Sequence, residues 1–287
     1  MDTRVNIRVY PGSVPADWQS LADRAFALFA AYERRFSLFS PTSEICEVNA
    51  RAGQVTVVSD QFFRMLKYAL AVADETEGVF DPSVGRWTAP RFPVSEKIIS
   101  TYRDIRLSEA ERTVQLSPNS VLDLNAVVKG SAIDDVIAIF IGADAVIVEA
   151  GGDIAVKGLP PGKAAWNIAI RNPRSPREAS IILPVTAGAV CTSGDYLRGR
   201  SARLAGRVHL AGARDGRTAH HHLSMTVLAP TAREADTLST AAFLLPPEKA
   251  AEFVESHVGA SCLFIDHAGQ VFVSPRLNSV ILQKIHA

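Results

Sequence analysis

The chain has 287 residues, 47% of them apolar, with 30 acidic and 30 basic side chains. This length allows one large domain or two moderate ones, and the apolar fraction is ample for a sizeable core. Balanced charge argues against a nucleic-acid binder that relies on a strong overall positive field, though not against a local basic site.

Val5 to Tyr10 alternates apolar and polar residues and predicts a strand. Asp17 to Phe36 then predicts a long amphipathic helix with Leu21, Ala25, Leu28 and Tyr32 on one face. Ser43 is placed to cap a short helix, and a longer one runs from about Asp60, as N-cap, to about Thr76, stopped by Gly78. Phe80 to Gly85 predicts a tight turn, Trp87 to Ser100 a Pro-rich loop with some helix, and Ile105–Leu107 with Thr113–Leu116 a hairpin.

The stretch VLDLNAVVKGSAIDDVIAIFIGADAVIVEAGGD, Val121 to Asp153, is the most informative. A short apolar run carrying Asp123 leads into a turn-prone segment with Asn125 and Lys129-Gly130. Ser131 is expected as N-cap of a helix whose first turn holds Asp134 and Asp135 and whose buried face holds Ala132, Ile133, Val136, Ile137 and Phe140. A buried strand at Ala145 to Val148 ends in the turn Gly151-Gly152-Asp153. Such an arrangement can hold phosphates, because helix-start N–H groups and Cβ-free glycines let the backbone approach an anion. On its own it is also an ordinary α/β unit with a glycine turn.

Further strands are expected at Ile154–Val156, Trp166–Ile170, Ser180–Val185, Ala189–Thr192, Val208–Leu210, Leu223–Leu228, Ser261–Ile265 and Gln270–Val273. Helices are expected at Glu234–Leu244 and Pro247–Ser256, and the mixture points to an α+β fold.

Asp236 and Thr240 lie four residues apart on the predicted helix, so both oxygens leave one face. A carboxylate, a hydroxyl and nearby carbonyls make an all-oxygen set suited to Mg²⁺; equally, they are a cap and a back-bonded hydroxyl. Thr192, Ser193 and Gly194 close an apolar run, either as ligand contacts or as a strand-end turn. His220, His221 and His222 are adjacent, and neighbours on an extended strand cannot all face one ion, so a structural or solvent-facing role is expected. His209 is the better acid–base candidate, and Cys191 is expected to be packing. The cysteines, Cys46, Cys191 and Cys262, are widely spaced without a CxxC, which fits free thiols. MDTRVNIRVY has no apolar core of a signal peptide, which as given implies a cytoplasmic protein.

Six segments in order, FSLFSPTSEICEVN, GVFDPSVG, DLNAVVKGSAID, VEAGGDI, AVCTSGDY and AREADTLSTAAFLL, resemble the FAD:protein FMN transferase family, the ApbE-like flavin transferases. The resemblance implies a single domain over 1–287. It implies a two-lobed fold with mixed or antiparallel sheets, packed helices and a ligand cleft between the lobes. It also implies Mg²⁺-dependent transfer of FMN from FAD to a Thr or Ser hydroxyl of an acceptor protein, with AMP leaving. By position, Asp236 and Thr240 would be metal ligands together with a carbonyl near Ala132. Asp81, Asp123, Lys129, Asp134, Gly151, Gly152, Asp153, Thr192, Ser193 and Gly194 would contact FAD, and His209 with Asp215 would carry the proton chemistry.

Departures accompany the match. Asp2 stands for a family glycine, Ser131 for an aromatic and Glu149 for Asn; Gly212 replaces an acidic residue and Asp215 a threonine. The family's Met-Gly-Thr lies at Met1-Asp2-Thr3, so a trimmed secretion signal would make the protein periplasmic. Hydrolysis of FAD to FMN and AMP, or FAD binding without turnover, are the alternatives that the altered loop leaves open.

Overall fold

The alternating segments of the sequence become three antiparallel sheets in the computed structural model, which describes residues 3–13, 16–89, 100–175, 178–194, 221–278 and 283–284. Among these, Ala30–Val128 form one compact unit and the remainder a second, here called the helical unit and the sheet unit.

In the helical unit the end of α1 (Trp18–Phe36) is followed by α2 (Glu44–Ala50), β2 (Val55–Val57), α3 (Asp60–Glu75), α4 (Gly85–Thr88), β3 (Arg106–Ser108) and β4 (Thr113–Gln115). Apolar positions at helical spacing supply the core: Ile45, Phe62, Phe63 and Leu66 are fully buried with Leu122 and Leu124. Phe36 stacks on Phe62 with centroids 5.8 Å apart. Ser43 caps α2 as expected, its hydroxyl accepting from the Cys46 N–H at 3.3 Å. The cap of α3 is Ser59 rather than Asp60: the Ser59 hydroxyl accepts from the Phe62 N–H at 3.2 Å, and the Glu44 carboxylate holds Ser59 in place. The predicted hairpin is β3 and β4, and β2 adds a third strand on the free side of β4.

The sheet unit is built on β1 (Val5–Pro11), β5 (Ala143–Ala150), β6 (Asp153–Gly158), β9 (Gly188–Gly194), β10 (Ser224–Ala229), β11 (Ser261–Ile265) and β12 (Val271–Val273), hydrogen-bonded in that order with every neighbour antiparallel. The β7 (Trp166–Arg171) and β8 (Ala179–Val185) hairpin packs on it, burying Trp166, Ile168, Ile170, Ile181 and Leu183 against Val156, Val190 and Leu263. Helix α6 (Ala232–Leu244) lies along β9 and β10 and touches α7 (Pro247–Ser256). Every residue of α6 from Ala235 to Leu244 is buried, so this helix is interior on all sides.

The main departure from the expected elements is α5, which runs Asn125–Ile139 and so starts six residues before the predicted cap at Ser131. Lys129-Gly130 is helix interior rather than turn, and Asp134 sits in the third turn rather than the first. Turn-formers were misleading here because Asp123 takes the capping work: its carboxylate accepts from the Asn125 N–H at 2.8 Å. Gly130 is required by packing instead of by a turn, since a Cβ there would lie 2.2 Å from the Ala232 carbonyl oxygen of α6.

Among the described residues no helix is long and apolar enough to cross a membrane. Val208–Leu210, His209, Gly212, Asp215, Asp2 and His220 lie outside the described residues, as does most of the Trp87–Ser100 segment.

Candidate active site

Three of the sequence segments meet in the helical unit. Asn49, buried on α2, donates its amide to the Leu122 carbonyl at 3.0 Å and accepts from the Leu122 N–H at 2.7 Å, which fixes the run before Asp123. Gly85 donates its N–H to the Val121 carbonyl at 2.9 Å, an approach in which a Cβ would lie 2.6 Å from that oxygen. Asp81 accepts from the Ser83 N–H at 2.7 Å and the Tyr102 N–H at 3.0 Å, and Asp123 accepts from Thr88 as well as Asn125. Burial pushes both carboxyls above the usual range, and these hydrogen bonds pull the other way.

The other segments converge in the sheet unit. Gly151-Gly152 is a two-residue hairpin loop joining β5 to β6, with φ of +62° and +95°. A Cβ on Gly152 would meet nothing within 4 Å, so this glycine serves backbone conformation. The hairpin delivers Asp153 to the start of β6. There its carboxylate accepts from the Thr192 N–H at 3.1 Å, just beyond the last residue pair of β6 with β9.

The second oxygen of Asp153 meets the ammonium of Lys129, which also donates to Asp236 at 3.2 Å. Asp236 accepts in addition from the Gly130 N–H at 3.0 Å. Asp153 and Asp236 are 1% and 4% exposed, so the three charges form a buried triad. Burial opposes the Lys129 charge, and the two carboxylates outweigh it and hold the ammonium above its ordinary range. Burial, then the neighbouring charges of Lys129 and Asp153 acting in opposite senses, leaves Asp236 pushed up to about 7. Thr240 lies one turn further along α6, its hydroxyl 3.0 Å from that of Ser193.

The start of α6 shows what Asp134 does. Its two oxygens accept from the N–H groups of Ala232 (2.7 Å) and Arg233 (2.9 Å), while the Thr231 hydroxyl takes that of Glu234 and the Thr231 carbonyl that of Ala235. Three N–H groups that a helix start leaves without intrahelical partners, those of Ala232, Arg233 and Glu234, are thereby satisfied, and the Ala235 bond begins the helical ladder. Asp134 is thus committed to α6, with both oxygens on backbone. Ala132 is fully buried in the middle of α5.

The remaining candidates resolve simply. Thr192 pairs its hydroxyl with Thr226 at 2.8 Å, and Gly194 ends β9. Cys191 is fully buried, and burial pushes its thiol well above the ordinary range, which fits packing. His222 is 1% exposed, with Nε2 3.1 Å from the Leu245 carbonyl and its ring 4.6 Å from Phe264, which fits the structural role expected for it. Sequence reasoning missed Ser239, whose position three residues after Asp236 puts it on the same helix face. It also missed the capping role of Asp134.

Among the described residues, a buried Lys–Asp–Asp triad, hydroxyls on an interior helix and a glycine hairpin thus come together within an antiparallel α+β framework. A sequence model of the ApbE family matches residues 1–264, and the chain belongs to that family. A relative named FAD:protein FMN transferase from Treponema pallidum is 28% identical over 295 residues, covering 92% of this chain and 82% of that protein. One of the same name from Haemophilus influenzae is 28% identical over 282 residues, covering 88% and 81%. Among solved structures, an ApbE protein from Thermotoga maritima superimposes with a TM-score of 0.83 at 24% identity, covering 98% of this chain and 99% of its own.

Proposed function

We propose that the chain transfers FMN from FAD to a Thr or Ser hydroxyl of an acceptor protein and releases AMP. The observation that carries this reading is the buried Lys129–Asp153–Asp236 triad beside Thr240, assembled from the segments that resemble flavin transferases. The relatives named FAD:protein FMN transferase support it. The family match, which extends over segments from both units, supports reading residues 1–287 as one transferase domain.

The donor set fits a hard divalent cation. Two buried carboxylates and neighbouring hydroxyls are all oxygen, the donor type that such an ion prefers. Asp236 and Thr240 would hold Mg²⁺. When bound, the ion supplies charge neutralisation at the pyrophosphate. Lys129 supplies a fixed positive charge for a phosphate oxygen, and its two carboxylate partners keep it protonated. The exposed Gly151-Gly152 hairpin leaves backbone open to a ligand.

In the transfer, the acceptor hydroxyl attacks the phosphorus of the FMN half, a new P–O bond forms, and the bond to the AMP phosphate breaks. The hydroxyl proton passes to a base, for which His209 is the proposed residue, with Asp215 six residues further along the chain. The three cysteines are buried and free, which supports a reducing compartment such as the cytoplasm.

Incubation with FAD, Mg²⁺ and a Thr-containing acceptor peptide tests the reading, with AMP followed by chromatography and the peptide by mass. The expected result is AMP together with a peptide heavier by one FMN. AMP with free FMN and an unchanged peptide would make the chain a hydrolase, and FAD binding without AMP would make it a flavin-binding protein.

A further inference from the structure

Three hydroxyls on α6 and β9 form a chain whose proton order follows from counting. Ser193 Oγ lies 2.9 Å from Ser239 Oγ and 3.0 Å from Thr240 Oγ1, and Ser239 Oγ lies 2.9 Å from the Asp236 carbonyl oxygen. Each hydroxyl has one proton, and a carbonyl can only accept. If Ser239 donates to Asp236, Ser193 must donate to Ser239 and Thr240 to Ser193, so three protons make three bonds. The opposite order makes only two and leaves the contact with the Asp236 carbonyl without a proton. Ser239 is fully buried, and Ser193 and Thr240 are 9% and 8% exposed, so water is a poor substitute for any of these partners.

We infer that Ser193 and Ser239 are positioning residues that turn the Thr240 proton inward and leave its oxygen lone pairs facing the cation. The inference rests on the metal reading above. It gives Ser193 a role other than direct contact with FAD: the chain runs back to the carbonyl of Asp236, the residue that supplies the carboxylate ligand. The two side-chain ligands of α6 are therefore ordered together. Removing either serine frees the Thr240 hydroxyl to rotate its proton toward the metal, where it repels the ion.

The test is Mn²⁺ binding, read by electron paramagnetic resonance on the full chain without FAD, for wild type, Ser193→Ala, Ser239→Ala, the double variant and Asp236→Ala. Thermal unfolding of each variant checks that it is folded. The chain order predicts that each single serine variant weakens Mn²⁺ binding about three- to tenfold, the size of one net hydrogen bond. The double variant should bind no more weakly than Ser193→Ala, because Ser239 acts only through Ser193. If Ser193→Ala does not fold, Ser193→Cys replaces it, and a smaller loss is expected from its weaker hydrogen bonds. Binding that is lost in Asp236→Ala but unchanged in both serine variants overturns the inference and spares the metal reading, as do serine effects that multiply. A wild-type chain that binds no Mn²⁺, like Asp236→Ala, overturns both.

Discussion

Asp81 in the helical unit and Asp236 in the sheet unit are both buried aspartates in short family segments, yet their partners differ in kind. Asp81 accepts from two backbone N–H groups, neutral donors that belong permanently to the fold, with the Arg86 charge a lesser influence. Asp134 is partnered in the same way, and Asp123 by one N–H and the Thr88 hydroxyl. Asp236 faces one N–H and an ammonium. A carboxylate held by backbone is a fastener. One that shares a buried positive charge has a partner that another cation can relieve. Burial alone does not separate the two roles, because it raises both carboxyls.

The largest effect is expected where the partner is a charge. Asp236→Ala should lower Mg²⁺-dependent AMP release by roughly 100-fold or more, comparable to removing a principal electrostatic contact. Thr240→Ala, which removes a neutral ligand, should cost less. Equal rates for wild type and Asp236→Ala at limiting Mg²⁺ would erase the distinction between the two aspartates.

Asp81→Ala should show the reverse pattern. Two buried N–H groups lose their acceptor, so urea unfolding should report a loss of about 1–3 kcal/mol, while the rate per folded molecule changes only a few-fold. A large fall in FAD affinity at unchanged stability would instead restore Asp81 as a ligand contact.

Gly130→Ala tests the close contact that underlies the Asp236 side of the comparison. With a Cβ 2.2 Å from the Ala232 carbonyl, α5 and α6 must separate, at an overpacking cost of about 1–3 kcal/mol. The Gly130 N–H and Lys129 move with α5, so metal dependence should shift along with stability. Unchanged unfolding and metal dependence would mean that the helices yield freely.

The smallest effect is in pH. The native Asp81 carboxyl titrates above its ordinary value of 3.8 because burial disfavours its charge. The native state therefore binds the proton more tightly than the unfolded state. This contribution to stability is complete below pH 3.8 and is lost as pH rises through the raised value. Asp81→Asn should flatten that part of the stability profile, and an unaltered slope would assign it to other groups.

Much of the fold was legible because its signals are local. Period-two alternation marked β1, and α6 and α7 fell within two residues of their predicted bounds. Strand β2, Val55–Val57, was not among the expected elements: it pairs with β4 more than fifty residues later, a partner that no local signal names. The start of α5 was misplaced because Gly130 carries the composition of a turn but serves a contact with a helix about a hundred residues later. At the site, the Asp236–Thr240 spacing was readable from one helix. The partners of Lys129, 24 and 107 residues away, were not, because nothing in sequence spacing says which carboxylate a lysine will meet.

Strand β1 has a consequence for how the chain comes into being. It is synthesised before the other strands, yet its hydrogen-bonding partner is β5, where Val5 opposes Ala150 and Tyr10 opposes Ala145. The N-terminal segment must therefore wait unpaired while the intervening helices and short strands are synthesised, whereas β5 and β6 can close through two glycines as soon as both exist. Assembly of the sheet unit is expected to begin at that hairpin and to recruit the first strand late. Pulse-labelled hydrogen exchange that found β1 protected before β6 would reverse this order.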